Sequence, residues 1–255
     1  MKTTEIFAHR GASGYESENT LEAFALAVEQ GADGIELDVQ LSRDGQMVII
    51  HDENVDRVCN GTGWVKDYTL EELKRFQVST PEGKKGRIPT LREVLELVKP
   101  SGIKVNIELK TGIFWYPELE RMVIEEVKHQ GMEDRIIYSS FNHYSMQKIR
   151  ELEPDAETAY LYSDVILNVA DYAKKTGIKG LHPAIYHMAM ADFLREYKES
   201  GLKIRVWTVN ETEHMEKLFH AGVDAIITNY PDRAVKIRDE FLKNTGDFNR
   251  KRQDR

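Results

Sequence analysis

Ile35-Glu36-Leu37-Asp38-Val39 alternates apolar and acidic side chains. That period of two belongs to a β-strand, whose successive side chains point to opposite faces. Ile35, Leu37 and Val39 share one face, Glu36 and Asp38 the other. In a parallel sheet the apolar face meets covering helices, so the acidic face is confined rather than turned to bulk water. Two confined carboxylates repel each other and lose hydration, at a cost of several kcal/mol unless a cation or a proton intervenes. The run Lys104–Lys110 repeats the pattern, with Ile107 and Leu109 on one side and Asn106, Glu108 and Lys110 on the other. Glu36, Asp38 and Glu108 together make an oxygen-rich set suited to calcium or magnesium rather than zinc or copper. The same acids could instead form structural ion pairs with Arg10 and Lys110.

Working outward, strand-like runs recur at Glu5–His9, Gly34–Gln40, Lys104–Lys110, Arg135–Ser140, Thr158–Tyr162, Gly180–Pro183, Lys203–Val209 and Asp224–Asn229. Each is followed by a helical pattern. The first helix is expected to begin near Asn19, with Glu22 three residues on, and to stop at Gly31. Thr90 and Glu93 form a second capping box, Asn210 and Glu213 a third, and Pro117 suits the first turn of another helix. Eight strands alternating with eight helices predict an α/β protein, a TIM (β/α)8 barrel. Residues 42 to 88, between the second strand and its helix, form a long insertion with a strand-like run Met47–Ile50 and a helical pattern near Thr69–Phe76. Long connections on this face of a barrel are commonly functional. The expected organisation is one barrel over residues 1–243 carrying this small inserted subdomain, then a polar tail over 244–255.

A chain of 255 residues can be a single barrel. Its net charge of -8 argues against a broad nucleic-acid face, while leaving room for a phosphate ligand beside a metal and two cations. Cys59 is the single cysteine, which excludes an internal disulfide and a multi-cysteine zinc site. No signal-like leader or membrane-length apolar run is visible, so a cytoplasmic monomer or homodimer without integral membrane association is expected.

His9 and Arg10 end the first strand, at the edge where barrel enzymes carry their chemistry. Gly11 and Gly14 allow a tight turn there. His51, next to Asp52, adds a second imidazole. Two histidines near a carboxylate–metal site can serve as general base and general acid, each worth about 10²–10⁴-fold in rate. Trp207 could hold the carbon face of an alcohol or simply pack in the core. Phe141 and His182 could line the same mouth. Phe114-Trp115-Tyr116 could be a lid, a subunit contact or helix packing. His187, His214 and His220 read as ordinary surface or helix residues, and Gly61-Thr62-Gly63 lacks the third glycine of a dinucleotide site.

These residues resemble the glycerophosphodiester phosphodiesterase family. The likeness rests on His9-Arg10-Gly11, Glu18-Asn19-Thr20, Glu36-x-Asp38, His51-Asp52 through Asn60-Gly61-Thr62-Gly63 to Leu70–Leu73, Ile88-Pro89-Thr90-Leu91, Glu108-x-Lys110, Val206-Trp207-Thr208-Val209 and Thr228-Asn229-Tyr230-Pro231. Ser17 departs from a usual proline, and Val58-Cys59 from common threonines. The resemblance implies a barrel with an inserted subdomain and one divalent ion, Ca2+ or Mg2+, held at Glu36, Asp38 and Glu108. It implies His9 and His51 as the acid–base pair, and phosphate contacts from Arg10 and Lys110. The reaction implied is release of glycerol 3-phosphate and an alcohol from a small glycerophosphodiester such as glycerophosphocholine or glycerophosphoethanolamine. The alternative expectation is phospholipase D-like hydrolysis of lysophospholipids at the same centre.

Overall fold

The computed structural model describes residues 3–79, 85–189 and 193–253, with side chains through residue 244. Strands run in chain order as β1 (Glu5–His9), β2 (Gly34–Leu41), β3 (Met47–Ile49), β4 (Val78–Ser79), β5 (Lys85–Gly86), β6 (Lys104–Leu109), β7 (Ile136–Ser140), β8 (Glu157–Tyr162), β9 (Gly180–Pro183), β10 (Lys203–Val206) and β11 (Ala225–Thr228). The helices are α1 (Leu21–Glu29), α2 (Leu70–Leu73), α3 (Leu91–Val98), α4 (Leu119–Gln130), α5 (His143–Leu152), α6 (Val169–Lys175), α7 (Phe193–Glu199), α8 (Thr212–Ala221) and α9 (Pro231–Gln253). Parallel pairing runs β1-β2-β6-β7-β8-β9-β10-β11, and β11 pairs back to β1. The sheet is therefore closed, and the TIM barrel expected from the alternation is the fold observed. The polar tail expected over 244–255 falls, beyond residue 244, outside the residues whose side chains are described.

Two hydrophobic layers hold the barrel. Ile35, Leu37, Val39, Val105, Ile107 and Leu109, on the outer faces of β2 and β6, are buried against helix residues including Phe24, Leu91, Leu95 and Val123. Inside, Phe7, Ile137, Ala225 and Ile227 fill the barrel beneath Trp207. All eight residues of β2 are buried, so its polar residues turn inward, above this apolar plug. Between β2 and α3 the chain forms a third cluster from Val48, Ile50, Val55, Val58, Val65, Leu73, Val78 and Ile88. β3 enters it by pairing antiparallel with β2.

The helix ends explain which capping expectations fail. Thr90 and Glu93 do form a capping box, and Thr69 with Glu72 forms another at α2. The cap of α1, however, is Thr20, whose hydroxyl accepts from the Ala23 amide. Asn19 takes a left-handed conformation (φ 56°) and gives its side chain to Asp38 instead. Asn210 does not cap α8, because its Oδ1 accepts from the Asn229 amide. Pro117 precedes α4, whose first turn starts at Leu119. Gly222 ends α8 in the left-handed region, as its position predicts.

Gly11 shapes the turn that leaves β1. It has φ +79°, and a Cβ there would lie 2.6 Å from the backbone carbon of Ala23. The conformational term alone costs about 1 kcal/mol, and the backbone clash adds to it. Gly11→Ala should therefore lose at least about 2 kcal/mol of stability in chemical denaturation; a loss below about 0.5 kcal/mol would mean that the turn tolerates a side chain.

Candidate active site

Strand register builds the site. His9 pairs with Glu36 across β1 and β2, and across β2 and β6 Glu36 pairs with Asn106 and Asp38 with Glu108. Inward alternation then gathers Glu36, Asp38 and Glu108, each offering a carboxylate oxygen within 4.8 Å of the others, all three buried. The acids are together, as the two strand patterns require.

Their neutralisation is incomplete. The Arg10 guanidinium lies 3.4 Å from Asp38, and the Arg10 amide donates to Glu36 at 3.0 Å. Lys110 Nζ sits 3.0 Å from Glu108, and Asn19 Nδ2 donates to Asp38 at 2.8 Å. Three acids thus face two cations, and Arg10 is shared with Glu18 at 2.9 Å. Burial, then the negative charges of Asp38 and Glu108, push the Glu36 carboxyl well up. Burial also raises Glu108, against the opposing pull of Lys110. Burial would raise Asp38 too, but Arg10 above all holds it well below the usual carboxylate range. Asp38 Oδ1 and Asn106 Oδ1 are buried and without a hydrogen-bond partner. An unmatched negative charge with orphaned oxygen acceptors fits a hard divalent cation, so this group could hold a metal.

The histidines arrive by different routes. His9 ends β1, and its Nδ1 donates to Asn229 Oδ1 at 2.8 Å, leaving Nε2 as the acceptor. Burial, reinforced by the charge of Arg10, lowers His9 to about 4. His51 comes from the insertion. The Ile50 amide donates to the Asp38 carbonyl at 3.0 Å, so the β2–β3 hairpin brings the chain back beside the acids. Gln40, the next inward residue of β2, donates from Nε2 to the carbonyls of Ile50, His51 and Asp52. The Asp52 carboxylate accepts from His51 Nδ1 at 2.6 Å. Burial would raise Asp52, but its bonds to Arg57 and His51 bring it down to about 2.

A cavity of about 400 Å³ joins these groups. His9, His51, Arg10, Lys110, Glu36 and Glu108 line one side, and Phe141, Leu161, Trp207 and Ile227 the other. Trp207 donates its indole N–H to the His182 carbonyl at 2.7 Å and meets Phe141 edge to face. Of the two strand-end residues that could line the mouth, Phe141 does, whereas the His182 side chain is fully buried and does not line the cavity. His187 is buried rather than superficial, bonded to Tyr197 and the Ser163 carbonyl. In Phe114-Trp115-Tyr116 the three rings divide: Phe114 packs on Trp64, Trp115 is exposed, and Tyr116 is buried and donates to Gln40 Oε1. Gln40, Asn229 and Arg57 were not singled out as site residues in the sequence. Gln40 could have been, since it continues the inward period of Glu36 and Asp38; Arg57 shows no comparable signal.

Comparison with known proteins places the chain in a family. The profile of the glycerophosphoryl diester phosphodiesterase family matches residues 9–233. A glycerophosphodiester phosphodiesterase of Caldanaerobacter subterraneus is 44% identical over 240 residues, covering 93% of this chain and 98% of that protein. One from Bacillus altitudinis is 46% identical over 243 residues, covering 93% and 99%. Among solved structures, an Oleispira antarctica phosphodiesterase in complex with the product sn-glycerol-3-phosphate superposes with a TM-score of 0.85 at 30% identity, covering 93% of this chain and 97% of that one. Among the described residues, no helix is long and apolar enough to cross a membrane. With the match running across almost the whole barrel, the chain belongs to the glycerophosphoryl diester phosphodiesterase family and is an enzyme of it.

Proposed function

We propose that the chain hydrolyses glycerophosphodiesters, such as glycerophosphocholine or glycerophosphoethanolamine, to glycerol 3-phosphate and an alcohol. The observation that carries this reading is the single cavity onto which two imidazoles, two cations and acids of the carboxylate cluster open, opposite an apolar wall. The family membership and the product bound by the Oleispira antarctica neighbour support it.

Arg10 and Lys110 hold the phosphate and offset the charge that grows on its oxygens. A divalent ion, calcium or magnesium, held by Glu36, Asp38 and Glu108 would supply Lewis-acid polarisation of a phosphate oxygen when bound. His9, neutral with Nε2 open, takes the proton of the attacking hydroxyl as the oxygen–phosphorus bond forms, whether that hydroxyl is water's or the substrate's own, the latter giving a cyclic phosphate that water then opens to glycerol 3-phosphate. His51 returns a proton from Nε2 to the departing alkoxide as the ester bond breaks, while Asp52 keeps its other nitrogen protonated. Trp207 and Phe141 pack against the carbon skeleton of the substrate.

A second reading is phospholipase D-like hydrolysis of lysophospholipids at the same site. It is favoured by apolar surface exposed at Ile113, Trp115 and Phe141, on connections that follow β6 and β7 beside the cavity.

Three measurements check these roles. Purified protein with calcium or magnesium should release glycerol 3-phosphate from glycerophosphocholine, and a chelator should abolish this until metal is restored. Faster turnover of lysophosphatidylcholine would favour the second reading, and full activity after exhaustive metal removal would defeat the acid cluster's role. His9→Ala and His51→Ala should each cut kcat at least about 100-fold in folded protein; near-wild-type turnover would remove that histidine from the mechanism. The neutral state of His9 has its own signature. Unfolded, His9 titrates near 6.5, but folded it does so only near about 4, so the unfolded chain binds more protons in between. Stability present above the unfolded value is lost as pH falls through that window. In metal-free protein, His9→Gln should lose stability less steeply than wild type over the same interval; parallel curves would contradict a buried neutral His9.

A further inference from the structure

We propose that Arg57, contributed by the inserted segment, is a positioning residue that sets the His51 side chain through Asp52. The inference rests on the catalytic role of His51 proposed above. Arg57 spends its whole guanidinium fork on two carboxylates. Nε and one terminal nitrogen donate to Asp52 at 2.6 and 3.2 Å, and the two terminal nitrogens donate to Glu18 at 2.8 Å each. Asp52 in turn accepts from His51 Nδ1, and Glu18 accepts from Arg10 at 2.9 Å. One planar cation thus links the proposed acid–base imidazole to the proposed phosphate-binding arginine, across the gap between insertion and barrel.

A half-exposed arginine paired with a surface acid ordinarily contributes little to stability. Its value here is geometric. An unrestrained Asp52 carboxylate could rotate about its terminal torsion, and the His51 ring would follow the acceptor. With both Asp52 oxygens engaged by the fork, that torsion is fixed and the tautomer leaving Nε2 toward the cavity is selected. The backbone beneath needs no help from Arg57. Gln40 already bonds the carbonyls of Ile50, His51 and Asp52, while Val55 and Val58 are buried in the insertion's own cluster. Removing the fork therefore frees side chains without unseating the segment. A lysine carries the charge but not the planar, doubly bidentate geometry.

The test is a set of variants assayed with glycerophosphocholine and saturating metal. Arg57→Gln should lower kcat at least about 10-fold while KM changes less than about 3-fold, since a misplaced catalytic group raises the barrier more than it weakens binding. Arg57→Lys, the second variant should Arg57→Gln fold poorly, should stay below about one third of the wild-type kcat. In a His51→Ala background, Arg57→Gln should cost less than about 2-fold, because there is no ring left to position. Calcium affinity measured by calorimetry should be unchanged in Arg57→Gln, as no proposed metal ligand touches Arg57. A wild-type kcat in Arg57→Gln or Arg57→Lys, an undiminished loss in the His51→Ala background, or a fall in calcium affinity matching the fall in kcat would each overturn the assignment. Should His51→Ala itself retain full turnover, the reading of His51 fails; should His51→Ala be inactive and Arg57→Gln fully active, only the role of Arg57 fails.

Discussion

Three carboxylates forced to face one another govern the top of this barrel. Once β2 and β6 pair in parallel, with Asp38 opposite Glu108, the side-chain period leaves no other direction for them. Turning β2 over would bury its acids against helices and point Ile35, Leu37 and Val39 away from their apolar partners, so the apolar outer face is what commits the acids to the inside. The surrounding residues answer that commitment. Arg10 sits in a left-handed turn (φ 56°), Asn19 adopts the same region and reaches Asp38, and Lys110 follows directly on β6. The charges still fall one short, and the raised Glu36 carboxyl is how the folded chain accommodates the difference. A divalent ion held by the three acids would relieve the same repulsion without protonating one of them.

The site is also built across a seam. His9, Arg10, Lys110 and the acids belong to barrel strands and their ends, whereas His51 belongs to a segment that packs its own cluster of valines, leucine and isoleucines. Apolar packing is non-directional and cannot by itself orient an imidazole across such a boundary. Directional bonds do so instead. Gln40 ties the backbone of the insertion to the strand that carries Glu36 and Asp38, and Tyr116 occupies its remaining acceptor. One side chain on β2 thereby sets the distance between the two halves of the chemistry.

Residue period and residue type told the fold because both act locally. Two strands, Glu5–His9 and Gly180–Pro183, fall where expected and no other strand end moves by more than three residues, and the alternation of strand and helix leads directly to the closed barrel. The capping errors have a common cause. Asn19 and Asn210 are good caps by propensity, yet each is claimed by a partner distant in sequence, Asp38 for one and the Asn229 amide for the other. Tertiary demand outbids local preference at the residues nearest the site. The position of His182 was open for a related reason. Its place at a strand end was legible, but whether it faces the cavity or the interior depends on the alternation along β9 and on packing across the barrel. Arg57 could not have been found by period or propensity, because its significance lies in two carboxylates, one of them brought near only by folding.

The same residue type can thus serve two roles because its surroundings differ. At His9 burial above all, then the nearby Arg10 guanidinium, penalises a positive ring, and the Asn229 amide oxygen that accepts from Nδ1 offsets this only in part. His51 instead donates from Nδ1 to the Asp52 carboxylate, which, despite burial, its bonds to Arg57 and His51 keep ionised to about 2. Under the roles proposed for the two rings, surroundings of this kind would separate base from acid without any difference in covalent structure. Exchanging Asn229 for an aspartate would give both rings a carboxylate and narrow the difference between them, leaving burial and Arg10 to act on His9 alone. On this argument the pairing of His9 with a neutral amide is as much a part of the proposed arrangement as the pairing of His51 with Asp52.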